Sequence, residues 1–582
     1  MKAAQMSGRM GARTVFAHVA LTFAIASCAA SDRPGFADAG ATGDADLTPE
    51  PPFSEPKEEA HCERAINERS SIGCDYVLFY PRAYNARGFP VNVGGGCFAA
   101  FVTNEGDRPT KIEVTYGEQP LDVTKFAYVP AGSGKAITYT PLANGELAPR
   151  QVAILFLAST VDSPQRCPAG TRPAMSADVS IVGTGYGKTF RVKTSEPVVM
   201  YDIFPYGGGI AGLASATLLL PTSSWATNYL AVTPQPGILA AQAKTGTTST
   251  MGDNSLDPWI AIVAAEDDTH VTLSPTANLA GGAGIEPTPR GTERTYALQK
   301  GELLQFRQMS ELIGTPINSD KPIGVFGGAT CMNIPEGVPA CDSAHQQIPP
   351  LRALGDEYVA VRPRNRYPRM DESPPWRILA AVDGTRLSYV PERPEGAPET
   401  LDKGQFVEFR TGEPFTVKSQ GNTHPFYMAG YMDSCEMYTT DVTDCRGDPE
   451  FVNVISPQQY KTSYVFFTDP TYPETHLVVV RKKGERGFSD VKLDCLGPLT
   501  GWKPVGDYEY TRVDLVRFNF AGQGQCDNGR HEMTSDAPFG VTVWGWGSGE
   551  TGDRTRGFYS IYVSYAYPAG ASLKFINDVV VR

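Results

Sequence analysis

The sequence contains few of the residue patterns that carry enzymatic chemistry. The nearest approach to a phosphate-binding loop is VGTGYGKTF at 182–190, but its glycines stand one residue too close together and a strand pattern follows them. A phosphate loop instead leads into a helix whose N-terminus holds the phosphates. The chain has no GxSxG, HExxH or CxxC pattern, so the usual signatures of serine hydrolases, zinc hydrolases and dithiol redox proteins are missing. We therefore predict no catalytic residue, no metal site and no cofactor.

Acidic residues are grouped in two places, and both patterns favour turns over active sites. The run at 266–268 corresponds to Val382-Asp383-Gly384 in a second copy of the same hairpin, and a repeated turn is structural first. The run at 253–257 resembles a calcium loop, but Pro258 stands where such a loop needs glycine. The enzymatic alternative is a glycan hydrolase with two carboxylates about 5 to 10 Å apart in a cleft.

Two tryptophans are the candidate binding residues of this sequence. Trp544 and Trp546 occupy positions i and i+2 of VTVWGWG, so on a strand both rings project from one face. Such a pair can stack on a sugar ring or on a partner surface; the alternative is that both rings belong to a core. A second candidate is the RGD tripeptide at 446–448, which would engage a receptor if exposed and is otherwise a charged turn.

The eleven cysteines divide into one near the N-terminus and ten in the body. Ten is an even number, so an exported chain can form five disulfides. Two pairs share a C-x9-C spacing; for the other six cysteines the sequence leaves the connectivity open and proximity favours neighbours. The predicted pairs are Cys62–Cys74, Cys97–Cys167, Cys331–Cys341, Cys435–Cys445 and Cys495–Cys526. Metal ligation is the alternative, but the histidines are scattered and no CxxC is present.

The N-terminus reads as an export signal. Basic residues within 2–13 precede twelve mostly apolar residues at 15–26, a length typical of a signal peptide and too short to cross a bilayer. The stretch ends in Ile25-Ala26-Ser27-Cys28, which resembles a bacterial lipobox and implies that Cys28 is lipidated and becomes the mature N-terminus. An ordinary signal peptide with a chance cysteine is the alternative. Ala29 after the cysteine favours the outer membrane by the same resemblance.

The charge distribution describes a tether and excludes one class of partner. Residues 29–60 carry eight acidic and two basic side chains among many prolines and glycines, which is typical of a disordered tether. The whole chain has 51 Lys+Arg against 64 Asp+Glu, a net charge of −13, so it lacks the basic surface that nucleic-acid binding needs. No other apolar run approaches 18 residues, so membrane contact is predicted only through the lipid.

The body of the chain repeats itself. Segments 259–275 and 376–391 both read as a β-hairpin. Downstream, the lysine of a KG strand and the proline that opens an apolar strand recur at the same offset of 103 residues, which indicates an internal repeat. The proline strand recurs outside this pair, at 193–203 and 534–546. A connector with a bulky residue four positions before a tyrosine occurs three times, at Trp225/Tyr229, Leu354/Tyr358 and Tyr460/Tyr464.

These repeats, with 59 Gly and 47 Pro, predict an all-β fold. We expect tandem β-sandwich-like modules of about 100–125 residues, stabilised by disulfides. Fusion of the modules into a propeller-like array is the alternative arrangement. The predicted organisation is a signal peptide (1–27), a lipidated cysteine with an acidic tether (28–60), a leading β-region (61–217) and β-modules at 218–341, 342–448 and 449–582.

Several ordered motifs together resemble a known family. The repeated hairpin, the KG strands (298–307 and 401–410), the proline strands, the connector and the closing SYAYPAG (564–570) resemble the bacterial branch of the IgGFc-binding protein N-terminal domain family. The opening HCERAINERSSIGCDYVLF (61–79) is similar to secreted myxobacterial members. The resemblance covers residues 62–582 and implies an extracellular, non-catalytic, all-β binding region. The chain lacks the cysteine-dense modules of the immunoglobulin-binding animal members, which argues against immunoglobulin as its ligand.

Taken together, the sequence predicts a binding protein and not an enzyme. We expect a lipid-anchored, exported adhesion or recognition protein of the outer membrane, facing the periplasm or the cell surface, with a surface glycan or protein as its partner. The alternatives are an envelope scaffold without a ligand and, less favoured, the carboxylate-dependent glycan hydrolase.

Overall fold

A computed structural model describes residues 61–82, 94–207, 213–235, 257–338, 341–549 and 561–582. The predicted signal peptide, the lipidated Cys28 and the tether lie outside these residues, as do residues 253–256 of the calcium-like run. No helix among the described residues is both long enough and apolar enough to cross a membrane.

The described strands fall into four consecutive groups, which we call units 1 to 4. Unit 1 contains helix α1 (His61–Glu68) and strands β1 (Ile72–Leu78), β2 (Phe98–Asn104), β3 (Thr110–Tyr116), β4 (Gln119–Leu121), β5 (Ala127–Ala131), β6 (Thr138–Pro141), β7 (Glu146–Leu147), β8 (Val152–Ala158), β9 (Gly185–Lys188), β10 (Phe190–Phe204) and β11 (Ser215–Leu218). Unit 2 contains β12 (Ala226–Leu230), β13 (Pro258–Ala264), β14 (Thr269–Leu273), β15 (Arg294–Leu298), β16 (Glu302–Arg307), β17 (Pro316–Met332) and β18 (Asp342–Gln347).

Units 3 and 4 follow the same order. Unit 3 contains β19 (Glu357–Ala360), β20 (Pro375–Ala380), β21 (Thr385–Arg386), β22 (Ser388–Val390), β23 (Thr400–Leu401), β24 (Phe406–Arg410), β25 (Phe415–Lys418), β26 (Phe426–Met432) and β27 (Glu450–Asn453). Unit 4 contains β28 (Lys461–Thr468), β29 (Glu474–Lys482), β30 (Val491–Leu493), β31 (Gly497–Pro498), β32 (Lys503–Val505), β33 (Tyr508–Arg517), β34 (Ala521–Gly522), β35 (Gly529–Trp546) and β36 (Ser564–Pro568). Short 3₁₀ turns lie at Val123–Lys125, Gly134–Ala136, Ala143–Gly145, Thr222–Ser224, Leu351–Ala353, Cys435–Met437, Val442–Asp444 and Pro457–Gln459.

Antiparallel pairing builds each unit around one long strand. Unit 1 forms a ten-stranded sheet around β10, unit 2 an eight-stranded sheet around β17 and unit 4 a nine-stranded sheet around β35. In unit 3 the corresponding strand is divided into β25 and β26, and its strands form three small sheets. The glycine-rich β9 leaves unit 1 and pairs with β16 of unit 2, so the segment that resembled a phosphate loop is an edge strand. The prediction of an all-β, disulfide-bonded fold is confirmed.

All four units contain the same hydrogen bond from a tyrosine hydroxyl to a backbone carbonyl. The hydroxyls of Tyr76, Tyr229, Tyr358 and Tyr464 each donate, over 2.5–2.7 Å, to the carbonyl that follows a proline of the long strand: Val198, Ile323, Phe426 and Phe539, respectively. We call each tyrosine hydroxyl, together with the carbonyl that accepts from it, a tyrosine clasp. Three of the prolines lie inside long strands next to a register shift, and not at a first residue as the sequence suggested. The clasp supplies a partner for a carbonyl that the shifted ladder leaves unpaired.

The tyrosine of the connector is therefore explained by a buried hydrogen bond. We expect Tyr358→Phe to lower the free energy of unfolding by about 1–2 kcal/mol, because it leaves the Phe426 carbonyl buried without its donor. The matched control is Tyr296→Phe: the Tyr296 hydroxyl is also buried but has no hydrogen-bond partner among the described residues. Urea denaturation of both variants measures the difference, and equal stability losses would contradict the clasp.

The four innermost strands meet at the centre of the molecule. β11, β18, β27 and β36 each follow the long strand of their unit, and they contact one another in cyclic order, with β36 returning to β11. The first and last parts of the described body also meet: the Ser71 amide donates to the Ala571 carbonyl at 2.8 Å. Strands β2, β8, β13 and β26 are buried along their whole length. Outer strands such as β14 alternate between buried and exposed residues.

The disulfides fasten the same framework. The structure joins Cys62–Cys74, Cys97–Cys167, Cys331–Cys341, Cys435–Cys445 and Cys495–Cys526. These are the five pairs that spacing and proximity predict. Two of them close the loops that lead into β18 and β27, so they bring each chain segment back to the centre at a fixed point.

Candidate functional site

The N-terminal ends of the four innermost strands converge at one buried polar site. The Ser564 hydroxyl of β36 donates to the Asp448 carbonyl at 2.6 Å and lies 3.3 Å from an Asp342 carboxylate oxygen. The Ser215 hydroxyl of β11 donates to the Glu450 carboxylate at 3.1 Å. All four units therefore contribute to this site, which no single repeat could form.

The side chain of one buried glutamine links the four innermost strands through hydrogen bonds. Gln346 of β18 is fully buried, and its amide nitrogen lies 2.8 Å from the Ala216 carbonyl, 3.1 Å from that of Phe451 and 3.3 Å from that of Ala566. These carbonyls belong to units 1, 3 and 4. The innermost strands do not pair with one another as a β-ladder, so a side-chain amide supplies the donors that their backbone carbonyls need.

Three carboxylates gather beside this glutamine, and we call Asp342, Asp448 and Glu450 the central acidic cluster. Each is at most 1 % exposed. Burial, then the neighbouring charges of Asp448 and Glu450, raises the pKa of Asp342 well above its usual range. Burial likewise raises the pKa of Glu450 and of Asp448. No short sequence motif predicts this cluster, because its members lie in different repeats.

A histidine and an aspartate pair next to the cluster, between units 2 and 1. His345 Nε2 lies 2.5 Å from Asp202 Oδ1, and both side chains are 2 % exposed. Burial, the first cause, raises the pKa of Asp202. The geometry resembles the base and orienting acid of a nucleophilic triad. However, its seclusion from solvent keeps substrate away, and the second ring nitrogen of His345 has no partner among the described residues.

The predicted tryptophan site is wrong, because the structure buries both rings. Trp544 is 3 % exposed and Trp546 is 0 % exposed, and both pack in the cluster of side chains between units 3 and 4. The Arg364 guanidinium covers the Trp546 ring at 4.8 Å. The i, i+2 spacing gave the shared face correctly, but this face meets unit 3 and not solvent. Neither ring can stack on a ligand.

The RGD tripeptide is also unavailable to a receptor. Asp448 is 1 % exposed and belongs to the central acidic cluster. A Cβ on Gly447 would lie 2.8 Å from that of Trp546, so the backbone there packs directly against the core. The tripeptide is a structural turn that carries the chain from the Cys435–Cys445 loop into β27.

Metal-ligating side chains converge tightly at one place among the described residues. Ligand atoms of Asp494, Cys495 and His531 lie within 4.8 Å of one another. The Cys495 sulfur is bonded to Cys526, so it offers no thiolate. The two nitrogens of His531 lie 3.2 Å from Asp494 Oδ1 and 2.7 Å from the Asp527 carbonyl. Both ring nitrogens are engaged, and this group lacks the open ligands of a zinc site.

The two disulfide-bounded loops lead into β18 and β27, and they contact each other, since the Ser434 amide donates to the Ile334 carbonyl at 2.8 Å. Exposed residues are found here: Met437 is 41 % exposed, and Glu336 and Asp441 are also at the surface. Loops held by rigid strands are the usual place for binding contacts. A rigid all-β body with constrained surface loops is typical of binding-type domains.

Comparison with protein families agrees with this class. The family model described as IgGFc binding protein matches residues 215–545, more than half of the chain, and the chain belongs to that family. The match begins at β11 and ends within β35, so it covers units 2 and 3 and most of unit 4. The opening (61–79) and closing (564–570) motifs lie outside it. This is a binding-type family and not a known family of enzymes. A comparison with curated proteins found no match.

Sequence reasoning missed the first tyrosine clasp. Tyr76 and Pro197 lie in the leading β-region, where the sequence showed the proline strand but no connector. Tyr76 is preceded by Ile72 at the position that Trp225, Leu354 or Tyr460 occupies elsewhere. A search that accepted any apolar residue at this position would have found the fourth copy.

Proposed function

We propose that this protein is an exported, lipid-anchored binding protein that recognises a glycan or a protein at a cell surface. The lipobox-like Ile25-Ala26-Ser27-Cys28 and the acidic segment 29–60 support anchoring through Cys28 at the end of a tether. Membership of a binding-type family supports recognition as the activity. Adhesion to a neighbouring cell or to the matrix is the role that fits both.

The observation that carries the proposal is the constrained loop surface on a cross-linked body. Five disulfides and four clasps hold the strands, and two of these disulfides bound the loops 331–341 and 435–445. A flexible loop loses conformational entropy when it binds a partner, and this loss opposes binding. A loop that is already fixed at both ends loses less entropy. We assign the binding face to the end of the molecule that carries these two loops.

The carboxylates of the centre support binding over hydrolysis. A glycan hydrolase needs two acids in an accessible cleft, whereas the central acidic cluster is secluded from solvent. A scaffold without a ligand has the same fold requirements, so localisation and binding experiments must separate it from an adhesin.

The first test is protease treatment of intact producing cells, followed by mass spectrometry of the released peptides. We expect peptides from residues 61–582 to be released, and we expect the Cys28→Ser variant to appear in the medium instead of on the cells. Complete protection in intact cells, with digestion after lysis, would place the body in the periplasm. That outcome would overturn the adhesin role and favour an envelope scaffold.

The binding face is tested with a matched pair of surface substitutions. Met437 and Val390 are similarly exposed, at 41 % and 47 %, but only Met437 lies on a disulfide-bounded loop. We expect Met437→Glu in the detergent-extracted full chain to reduce retention on intact cells several-fold, and Val390→Glu to leave it unchanged. Equal retention by all three proteins would remove the assignment to this face.

A further inference from the structure

The main sheet of unit 3 ends in a strand that no further strand covers. In units 1, 2 and 4, the corresponding strand has another strand on its outer side: β8 pairs with β5, β16 with β9 and β33 with β32. In unit 3 this strand is β24 (Phe406–Arg410), and it is the last strand of its sheet. Among the described residues, the outer edge of β24 is therefore open.

The pairing with β20 determines which backbone groups of β24 point outward. The Ala380 amide of β20 donates to the Gln405 carbonyl at 3.0 Å, so the backbone of Gln405 faces β20. Successive residues of an antiparallel strand face opposite sides. The amides and carbonyls that point away from β20 therefore belong to Phe406, Glu408 and Arg410. None of these groups has a hydrogen-bond partner in the part of the chain that the structure describes.

Unit 2 shows what kind of segment covers this edge. β16 repeats the sequence of β24, and Leu303, the counterpart of Phe406, is 2 % exposed where the extended strand β9 pairs with it. The counterpart of Arg410 is Arg307, whose amide donates to the Thr184 hydroxyl at 3.0 Å. Phe406 has no covering strand and is 36 % exposed. The edge that an extended segment occupies in unit 2 is thus available in unit 3.

The charged side chains of β24 do not guard its edge. Edge strands are often protected from pairing by charges that project from them. Here Glu408 instead lies 3.2 Å from the buried Arg377, and Arg410 lies 2.6 Å from Asp433. The same Arg377 guanidinium lies 4.8 Å from the centre of the Phe406 ring. Both charges are therefore held by the body of the protein, which leaves the backbone edge and the Phe406 ring accessible.

A groove of about 630 Å³ lies beside the start of β24, between units 2 and 3. Its apolar lining consists of Ile313, Leu401, Phe406 and Val407. Arg290 and Lys403 are exposed bases in its wall, and the Arg290 guanidinium forms no ion pair among the described residues. The acid in the lining is Glu311, which already pairs with Arg377 at 2.7 Å. The groove is therefore suited to a negatively charged segment that also carries an apolar side chain.

We propose that β24 binds an extended, acidic peptide segment of a partner protein, which adds to the sheet of unit 3 as its outer strand. The backbone of this segment bonds to the outward groups of β24, an apolar side chain enters the groove and an acidic side chain pairs with Arg290. In strand addition of this kind, main-chain hydrogen bonds give affinity and side-chain pockets give specificity. The proposal uses no residue of the disulfide-bounded loops, so it is independent of the binding face assigned above.

Selection of short random peptides displayed on phage, against the detergent-extracted full chain, supplies the probes. We expect the enriched peptides to combine acidic residues with a large apolar residue, and to bind more weakly as the salt concentration rises, because salt screens their contact with Arg290. Arg290→Gln should weaken the binding of these peptides several-fold. Failure to enrich any peptide, or enrichment of basic peptides, would overturn the proposal.

Two substitutions at Phe406 separate strand addition from contact with the ring alone. Phe406→Pro removes the ring and an outward amide but no hydrogen bond to β20, and proline is tolerated on the solvent side of edge strands. Phe406→Ala removes the ring and keeps the amide. We expect Phe406→Ala to weaken binding of the selected peptides several-fold, and Phe406→Pro to weaken it by a further factor of ten or more. Equal losses in the two variants would mean that the ring carries the binding and that strand addition is wrong.

Two measurements on the wild-type protein complete the test. If Phe406→Pro does not fold, hydrogen exchange decides the case: bound peptide should slow the exchange of the outward Glu408 and Arg410 amides, and unchanged exchange would contradict strand addition. Analytical ultracentrifugation of the protein alone should show a monomer. A dimer that Phe406→Ala dissociates would mean that a second copy occupies the edge, and it would overturn the assignment to a partner protein.

Discussion

Replacing Gln346 with leucine should lower the free energy of unfolding by about 3–4 kcal/mol, one of the largest losses available from a single polar side chain in this protein. Leucine has nearly the same size as glutamine, so the substitution leaves no large cavity. It does remove the amide hydrogens shared by the carbonyls of Ala216, Phe451 and Ala566. A buried carbonyl without a donor costs about 1–3 kcal/mol, and these groups lie too deep for water to replace the lost donor.

Urea denaturation under non-reducing conditions, followed by circular dichroism, measures this loss. Gln119→Leu on β4 is the control, because Gln119 is exposed and at the sheet edge. We expect the control to change stability by less than about 0.5 kcal/mol. If Gln346→Leu were equally harmless, the four innermost strands would hold together by apolar contacts alone, and the central role of the amide would be wrong.

The second large effect is a loss of stability in acid that originates at His476. Its Nδ1 lies 2.9 Å from Asp514 Oδ1, and its Nε2 accepts the Arg364 amide at 3.3 Å. The accepting nitrogen must be unprotonated, so the ring is neutral in the folded protein. Burial, the largest cause, lowers the pKa of His476 from 6.5 to about 4. For Asp514, the hydrogen bond from His476 and the charge and hydrogen bond of Arg364 outweigh the effect of burial and hold its pKa below the usual range.

The sign of the pH dependence follows from these pKa values. The unfolded chain takes up a proton on His476 near pH 6.5 and the folded protein only near pH 4, so the contribution to stability is complete above pH 6.5 and is lost as the pH falls toward 4. A difference of that size corresponds to about 3 kcal/mol at 1.36 kcal/mol per pKa unit.

The comparison with His476→Gln isolates this contribution. Glutamine can donate to Asp514 and accept the Arg364 amide, but it does not titrate. We expect the unfolding free energies of the two proteins to differ least near pH 7 and to diverge between pH 6.5 and 4, where only the wild-type protein loses the His476 contribution; urea denaturation across this range measures the difference. Parallel profiles would mean that other groups cause the acid sensitivity of the wild-type protein.

Local sequence and tertiary packing determine different features of this protein. Local patterns predicted the all-β class, the repeated hairpins, the connector tyrosines and the five cysteine pairs, because each depends on residues that are close in the chain or on a fixed spacing. The hairpins show this down to single hydrogen bonds: the amides of Lys300 and Lys403 bind Asp267 and Asp383 at 3.1 and 2.9 Å. Turn chemistry of this kind is fixed within a few dozen residues.

Only the tertiary structure decided which side chains are buried and which distant segments come into contact. Trp544 and Trp546 have the spacing of an exposed binding pair, but unit 3 covers their face, and no property of the strand itself signals a neighbour from another repeat. Likewise Asp342 and Glu450 each begin a short strand, and their carboxylates share one site because the four units close on a common centre. Burial and charge proximity depend on packing between distant segments. The sequence alone therefore determined how each repeat is built, while the arrangement of the repeats created the central acidic cluster.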